Sequence, residues 1–354
     1  MISAMNRLYI KYISGLLSVN DWQVEHCVEL LAEGATVPFI SRYRKERTGQ
    51  LDEVQVAEIR HWYLKFEELD KRKEAVLKSL TEQEKLTPEL EKQISSCIQM
   101  QELEDIYLPY RPKRRTRASM AKEKGLEPLA QAMLTFKVEN FEKYVSSFVD
   151  GNSLPDKESV LQGARDIIAE NISERAEIRQ ELRSFYLKSA KVCSKVVKGK
   201  DEEGEKFENY FDFNEDISRM PAHRLLAILR GEQEGILQVK LEADSEISKK
   251  IINRLFYKGT KCNTYQLFEQ MDMAVEDSLK RLLNPSVGNE ALKMAKEKAD
   301  LDSIKVFGEN LRQLLLAAPV GEKRTMALDP GFRTGCKVVC LDRQGNLLHN
   351  EAIF

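Results

Sequence analysis

The chain has 354 residues, which is enough for two or three hydrophobic cores. Charged residues make up 32% of it and hydrophobic residues 42%, and 55 Lys and Arg residues against 57 Asp and Glu residues leave a net charge of −2. This composition is typical of a soluble, helix-rich protein and excludes a protein that is basic throughout, so any attraction to nucleic acid must come from local patches.

Several functional classes receive no support from the sequence. No run of about 18 apolar residues occurs, so no membrane span is predicted. The amphipathic stretch 1–17 lacks the basic start, apolar core and cleavage site of a secretion signal. The cysteines form no CxxC pair and the four histidines are scattered. We therefore expect a cytoplasmic protein with no membrane association, no metal site and no cofactor.

The first elements are predicted to be helices. Asn20 or Asp21 can cap a helix that ends at Gly34, and Pro38 can open a second, short helix that ends at Gly49. A turn of a few residues between two such helices is compatible with a helix-turn-helix-like element.

Four cations crowd the second of these helices: Arg42, Arg44, Lys45 and Arg47. On a continuous helix, Arg44 would share a face with Arg47, and Arg42 would share another with Lys45. One interpretation is a recognition-like helix close to phosphates. The alternative is a solvated face, or one whose cations pair with nearby acids such as Glu46, Asp52 and Glu53.

A long helix is predicted next. Asp52 and Gln55 resemble a capping pair, and apolar residues then recur at a 3-4-3 spacing from Val56 to Phe66. This pattern predicts a helix of about thirty residues that packs against another in coiled-coil fashion.

The segment from Tyr107 to Arg117, YLPYRPKRRTR, is the strongest candidate for nucleic-acid contact. It contains five cations and no acid: Arg111, Lys113, Arg114, Arg115 and Arg117. Its two prolines are expected to hold the backbone out of helix, and Tyr107 and Tyr110 interleave with the cations, an arrangement that suits phosphates and stacked bases. The alternative is an Arg-rich loop that pairs with acidic helices of its own fold.

The remainder is predicted to be mainly helical. Residues 150–156, DGNSLPD, are the best candidate linker, and a β-hairpin is predicted at 191–211, followed by a short strand in GILQVKLEA. Helix then continues to about residue 318, interrupted near Gly259 and at Asn284-Pro285, and three strand-like runs close the chain. The predicted regions are 1–150, with the helix-turn-helix-like element and the basic loop, then 151–320, helical with the hairpin, and 321–354.

Four stretches, in order, resemble the Tex family of bacterial transcription accessory proteins, which is related to a eukaryotic elongation factor. They are GATVPFISRYRKERTGQLDE, LEDIYLPYRPKRRTRASMAKEKGLEPLA, HRLLAILRGEQEG and ALDPGFRTGCKVVCLD. The resemblance implies an N-terminal helical region, a YqgF domain of the ribonuclease H type, helix-hairpin-helix modules and a C-terminal OB-fold RNA-binding barrel. We therefore expect a mainly α fragment that ends in the first strands of the α/β YqgF domain.

The resemblance places Asp329 where ribonuclease H-like domains carry a first-strand carboxylate. Metal-dependent cleavage needs several carboxylates around two ions, and one Asp cannot supply them. Asp329 before Pro330-Gly331 also suits a turn, as does Asp342 after the next strand. We interpret Asp329 as vestigial or as a turn residue, and we predict no catalytic residue.

The predicted function is that of a nucleic-acid-binding transcription accessory factor, with RNA or single-stranded DNA as the partner and this chain as its non-enzymatic helical scaffold. Two alternatives stay open. One is a metal-dependent nuclease formed by a complete ribonuclease H-like domain. The other is a helical platform for a protein partner such as RNA polymerase or the ribosome.

Overall fold

The computed structural model describes residues 5–112, 115–136, 138, 140–257, 265–319, 321–331 and 335–354. Sixteen α-helices and six short strands lie within them, so the prediction of a mainly α fold is confirmed. None of the helices in these residues is long and apolar enough to cross a membrane.

The first hydrophobic core is built by six helices: α1 Arg7–Leu17, α2 Asp21–Ala32, α3 Val37–Tyr43, α5 Glu53–Glu82, α6 Pro88–Ser96 and α7 Met100–Tyr107. The short helix α4 Lys45–Thr48 lies between α3 and α5 in the chain and contacts α2. The predicted thirty-residue helix is α5, and Asp52 and Gln55 form the expected capping box at its start. Val56, Ile59 and Phe66 of its apolar stripe are buried against the shorter helices, and Tyr63 is partly buried.

A second, larger core is built around α11 Lys157–Ser173 and α12 Ala176–Ser189. The other helices that contribute to it are α8 Arg117–Glu123, α9 Glu127–Thr135, α10 Phe141–Ser146, α14 Ser245–Tyr257, α15 Tyr265–Asp277 and α16 Asn284–Leu315. This core includes residues from both sides of position 150. The predicted linker 150–156 is a turn in which Asp150 accepts hydrogen bonds from the backbone, and Leu154 is buried in the same core.

A small antiparallel sheet with strand order β2-β1-β3 packs against α13 Ala222–Gln233 and forms a third core. Its strands are β1 Lys191–Val196, β2 Asp212–Asp216 and β3 Leu237–Glu242. The first strand of the predicted hairpin and the later short strand are confirmed. The second strand of the hairpin was placed wrongly, because Glu205–Tyr210 is a 3-10 helix that buries Phe207, and pairing with β1 begins only at Asp212.

The predicted interruption at Asn284-Pro285 is not observed. A π-helical turn, Ser278–Leu283, joins α15 to α16 through residues that all remain helical, and Pro285 is the second residue of α16. The interruption predicted near Gly259 lies outside the described residues. Residues 304–315 of α16 are all exposed, and they include Ile304, Phe307, Leu311 and Leu314.

Three strands close the chain as predicted: β4 Thr325–Gly331, β5 Gly335–Leu341 and β6 Leu347–Ile353. They form an antiparallel sheet in the order β4-β5-β6. Asp342 lies in the turn after β5 and accepts hydrogen bonds from the backbone of Gln344 and Asn346, so its prediction as a turn residue is confirmed.

A buried ion cluster connects the first core to the second. Asp105 on α7 accepts hydrogen bonds from Arg179 Nε at 3.2 Å and from Arg183 Nη2 at 2.9 and 3.0 Å, both on α12. Glu290 on α16 pairs with both arginines. Two cations therefore meet two anions between three helices that are distant in sequence.

Candidate nucleic-acid interface

The outer face of α3 carries two exposed aromatic side chains and an exposed cation. Ile40 and Ser41 are buried and fix the inner face of this helix. Side chains on the opposite face therefore point outward, and Phe39 is 38% exposed and Tyr43 66% exposed. Arg42 lies between them in sequence and is also exposed.

The predicted short helix after Pro38 is in fact two helices. Arg44 adopts φ −132° and ψ 26°, which ends α3, and α4 starts at Lys45. The predicted face-sharing of Arg44 with Arg47, and of Arg42 with Lys45, is therefore wrong. The guanidinium of Arg44 instead turns back over the Phe39 ring, 4.8 Å from its centroid.

The other three predicted cations of this region divide into two groups. Arg47 pairs with Glu29 at 3.1 Å and with Glu33 at 3.8 Å, both of α2, so the ion-pairing interpretation holds for it, although with other acids than those expected. Arg42 and Lys45 are exposed and form no ion pair with any residue that the structure describes. Within the described residues, no carboxylate therefore neutralises either of these two charges.

The aromatic side chains of this surface were missed by sequence reasoning. The signal was present, because Phe39 and Tyr43 are four residues apart in a helix and therefore project from one face. On the neighbouring helix α2, the indole of Trp22 lies over Gly49, whose positive φ of 63° ends α4.

The segment Tyr107–Arg117 differs from the prediction at its start. Tyr107 is the last residue of α7 and only 6% exposed, and its hydroxyl lies 2.9 Å from that of Ser79. The guanidinium of Arg72 lies over its ring and pairs with Glu104. Tyr107 is therefore a core residue and is unavailable for stacking on a base.

The backbone of the segment also departs from the extended conformation at first. Leu108–Tyr110 is a single 3-10 turn, which Pro109 tolerates in its first positions, and the extended conformation begins at Arg111, with φ −63° and ψ 129°. Tyr110 is partly buried against the first core. Within the described residues, the predicted absence of helix is therefore correct only at positions 111, 112, 115 and 116, because Arg117 begins α8.

The cations of the segment are exposed wherever the structure describes them. Arg111 and Arg117 are exposed, and Arg115 pairs with Glu123 at 3.2 Å through side chains that both remain largely in solvent. Burial raises the pKa of Asp166 on α11, and the positive charges of Arg281 and Arg117 oppose that shift. Lys113 and Arg114 lie outside the described residues.

Asp329 does not lie in a turn. It is an exposed residue of β4 and pairs across the sheet with Lys337, and the strand continues through Pro330 to Gly331. Within the described residues, no three His, Cys, Asp or Glu side chains are arranged to hold a metal ion.

Comparison with known proteins covers nearly the whole chain. Residues 7–81 match the Tex-like protein N-terminal domain, residues 138–307 the Tex central region, and residues 323–354 the YqgF-like domain of Tex proteins. Over 97% of this chain, 40% of residues are identical to the transcriptional accessory protein Tex of Neisseria gonorrhoeae. Protein YhgF of Escherichia coli is 39% identical over 99% of this chain.

A more distant relative is human S1 RNA-binding domain-containing protein 1, which is 28% identical over 99% of this chain; the match covers 36% of the human protein. The chain spans 46% of the length of each of the two bacterial relatives. The three consecutive domain matches agree with the observed order of the helical cores and the closing sheet. Together with about 40% identity to the bacterial proteins, they show that the chain belongs to the Tex family.

Proposed function

We propose that this chain is the helical part of a nucleic-acid-binding transcription accessory factor, and that it contacts RNA or single-stranded DNA without cleaving it. The names of two relatives, one a transcriptional accessory protein and the other an S1 RNA-binding domain protein, support the general role. The proposal is carried by the exposed cations Arg42 and Lys45, which form no ion pair among the described residues and lie close in sequence to the exposed aromatic side chains of α3.

The net charge of −2 makes local charge decisive. No long-range positive field draws a polyanion to this chain, so phosphate contacts must come from a few cations that are not already paired. Arg111 and Arg117 provide a second group of exposed cations. The Arg115–Glu123 pair is exposed and therefore weak, at about 0–1 kcal/mol, and a phosphate can replace the carboxylate at little cost.

The test is a fluorescence anisotropy titration of the chain with labelled RNA and DNA strands over a range of salt concentrations. Binding through phosphates requires the logarithm of the association constant to fall linearly with the logarithm of salt concentration. Loss of two phosphate contacts in Arg42→Gln with Lys45→Gln should weaken binding and reduce that slope by about 1.4, at about 0.7 per contact on a single strand.

Arg219→Gln with Lys240→Gln is the matched control. Both residues are exposed, lie around the small sheet and form no ion pair within the described part of the chain, so this variant removes the same charge elsewhere. If both double variants bind equally well, the α3–α4 surface is not the contact. If the unmodified chain does not bind even at low salt, the proposed function fails and the exposed cations are better assigned to a protein partner.

The proposal that the chain is not an enzyme has its own test. We expect no cleavage of RNA or DNA when the chain is incubated with Mn²⁺, because Asp329 stands opposite a lysine and not beside further carboxylates. Cleavage that disappears in Asp329→Asn would favour the nuclease alternative.

A further inference from the structure

We infer that Phe39 and Tyr43 form a stacking site for unpaired nucleobases, with Arg44 as a cation fixed behind it. The inference rests on the proposed function and names the part of the nucleic acid that this surface takes. Neither the domain matches nor the names of the relatives assign a site to these residues.

The geometry suits a flat ligand. The two ring centroids are 5.8 Å apart, and the ring planes are inclined by 44°, so the rings are not stacked face to face on each other. The guanidinium of Arg44 lies 4.8 Å from the centroid of Phe39, so one face of that ring is already occupied. Tyr43, at 66% exposed, is therefore the main open platform.

The position of these rings is fixed by the fold and not by the rings themselves. Buried Ile40 and Ser41 attach α3 to the first core, so the outward direction of Phe39 and Tyr43 does not depend on contacts of their own. A ring on a helix that is already fixed has only its two side-chain torsions to order when it binds a base, which keeps the entropic cost of stacking low.

The surrounding charge favours a nucleic acid over a protein partner. No acidic residue occurs between positions 35 and 45, and the exposed cations Arg42 and Lys45 lie one residue before Tyr43 and two residues after it. Proteins that bind single-stranded nucleic acids use this combination: cations contact the phosphate backbone, and neighbouring aromatic rings stack on the bases. Bases inside a duplex cannot reach such a ring, so the ligand must be unpaired.

The experiment compares two strands of equal length, a homopolymer that carries bases and an abasic strand with the same phosphates. Stacking on one ring changes affinity by about 5- to 150-fold, so we expect Tyr43→Ala to weaken binding of the base-bearing strand by at least about fivefold. Binding of the abasic strand should not change. Tyr43→Phe keeps the ring and should restore the affinity.

Tyr265→Ala is the matched control, because Tyr265 on α15 is 81% exposed and lies on a different part of the molecule. It should bind both strands as the unmodified chain does. Circular dichroism of each variant checks that the helices are retained.

Three results would overturn the inference. If Tyr43→Ala binds the base-bearing strand normally while Arg42→Gln with Lys45→Gln binds it weakly, stacking is wrong and the proposed function stands. If Tyr43→Ala loses affinity equally for both strands, the ring acts through the fold and not through bases. If the unmodified chain binds neither strand, both the inference and the proposed function fail.

Discussion

The buried ion cluster between the two main cores gives the sharpest prediction about stability. Asp105 accepts three hydrogen bonds from the guanidinium groups of Arg179 and Arg183. Asp105→Ala removes them and leaves two buried positive charges with Glu290 as their only anion within the cluster. The substitution should therefore destabilise the docking of α7 on α12 and α16.

The expected magnitude follows from the burial of the cluster. The side chains of Asp105, Arg179 and Arg183 are all less than 10% exposed, so water cannot replace the lost carboxylate. Removal of one partner from a buried pair costs about 3–5 kcal/mol, mostly because the remaining charge is left without compensation. Asp105→Ala with Arg183→Met should consequently cost less than the sum of the two single changes.

The measurement is the free energy of unfolding from urea titration followed by circular dichroism. Asp300→Ala is the matched control, since it removes the exposed Lys296–Asp300 pair on α16 and should cost at most about 0.5 kcal/mol. Amide hydrogen exchange in α7 and α12 should also be faster in Asp105→Ala, but not in the control. A loss below about 1 kcal/mol, or one equal to that of the control, would refute the reasoning that burial makes this cluster decisive.

Two further predictions concern the first core. Gly49→Ala should destabilise it by about 2 kcal/mol and change the fluorescence of Trp22, because a Cβ at φ 63° would lie 2.4 Å from Cη2 of that indole. Gly34→Ala, also at positive φ but with nothing within 4 Å, should cost only about 1 kcal/mol and leave the fluorescence unchanged, and equal effects would contradict the argument. Burial raises the pKa of Cys27 to about 12 and that of Cys97 to about 11. Both thiols should therefore react slowly with iodoacetamide near pH 8. The contribution of the two protonated thiols to the free energy of unfolding should be fully present below about pH 9 and lost as the pH rises through 11 to 12. Alkylation that is as fast in the folded chain as in urea would refute this prediction.

Local patterns in the sequence predicted the elements that depend on local physics. The capping pair and the 3-4-3 spacing were sufficient for α5, and alternation with Gly-containing turns was sufficient for the closing sheet. The break at Arg44 could not be predicted in this way, because the segment has good helix formers on both sides and the break depends on how α3 and α4 pack on α5 and α2.

The candidate site was predicted only in part for the same reason. Counting cations identified Arg42 and Lys45, but it also selected Arg47, whose partners on α2 are 14 and 18 residues away in sequence. Tyr107 was taken for a surface residue because its neighbours are basic, although its partner Ser79 is 28 residues away on α5. Contacts at these separations depend on tertiary packing and leave no local pattern.

The π-helical turn before α16 has a consequence for the exposed end of that helix. Each residue of an α-helix advances the chain by about 1.5 Å and turns it by about 100°. Removal of one residue from Ser278–Leu283 would therefore have one of two results. Either the first turns of α16 would be displaced from the core they pack in, or the exposed apolar side chains between Leu301 and Leu315 would rotate by about a quarter turn or more about the helix axis. The number of residues in this π-helical turn thus sets the direction in which the exposed apolar residues at the far end of α16 face.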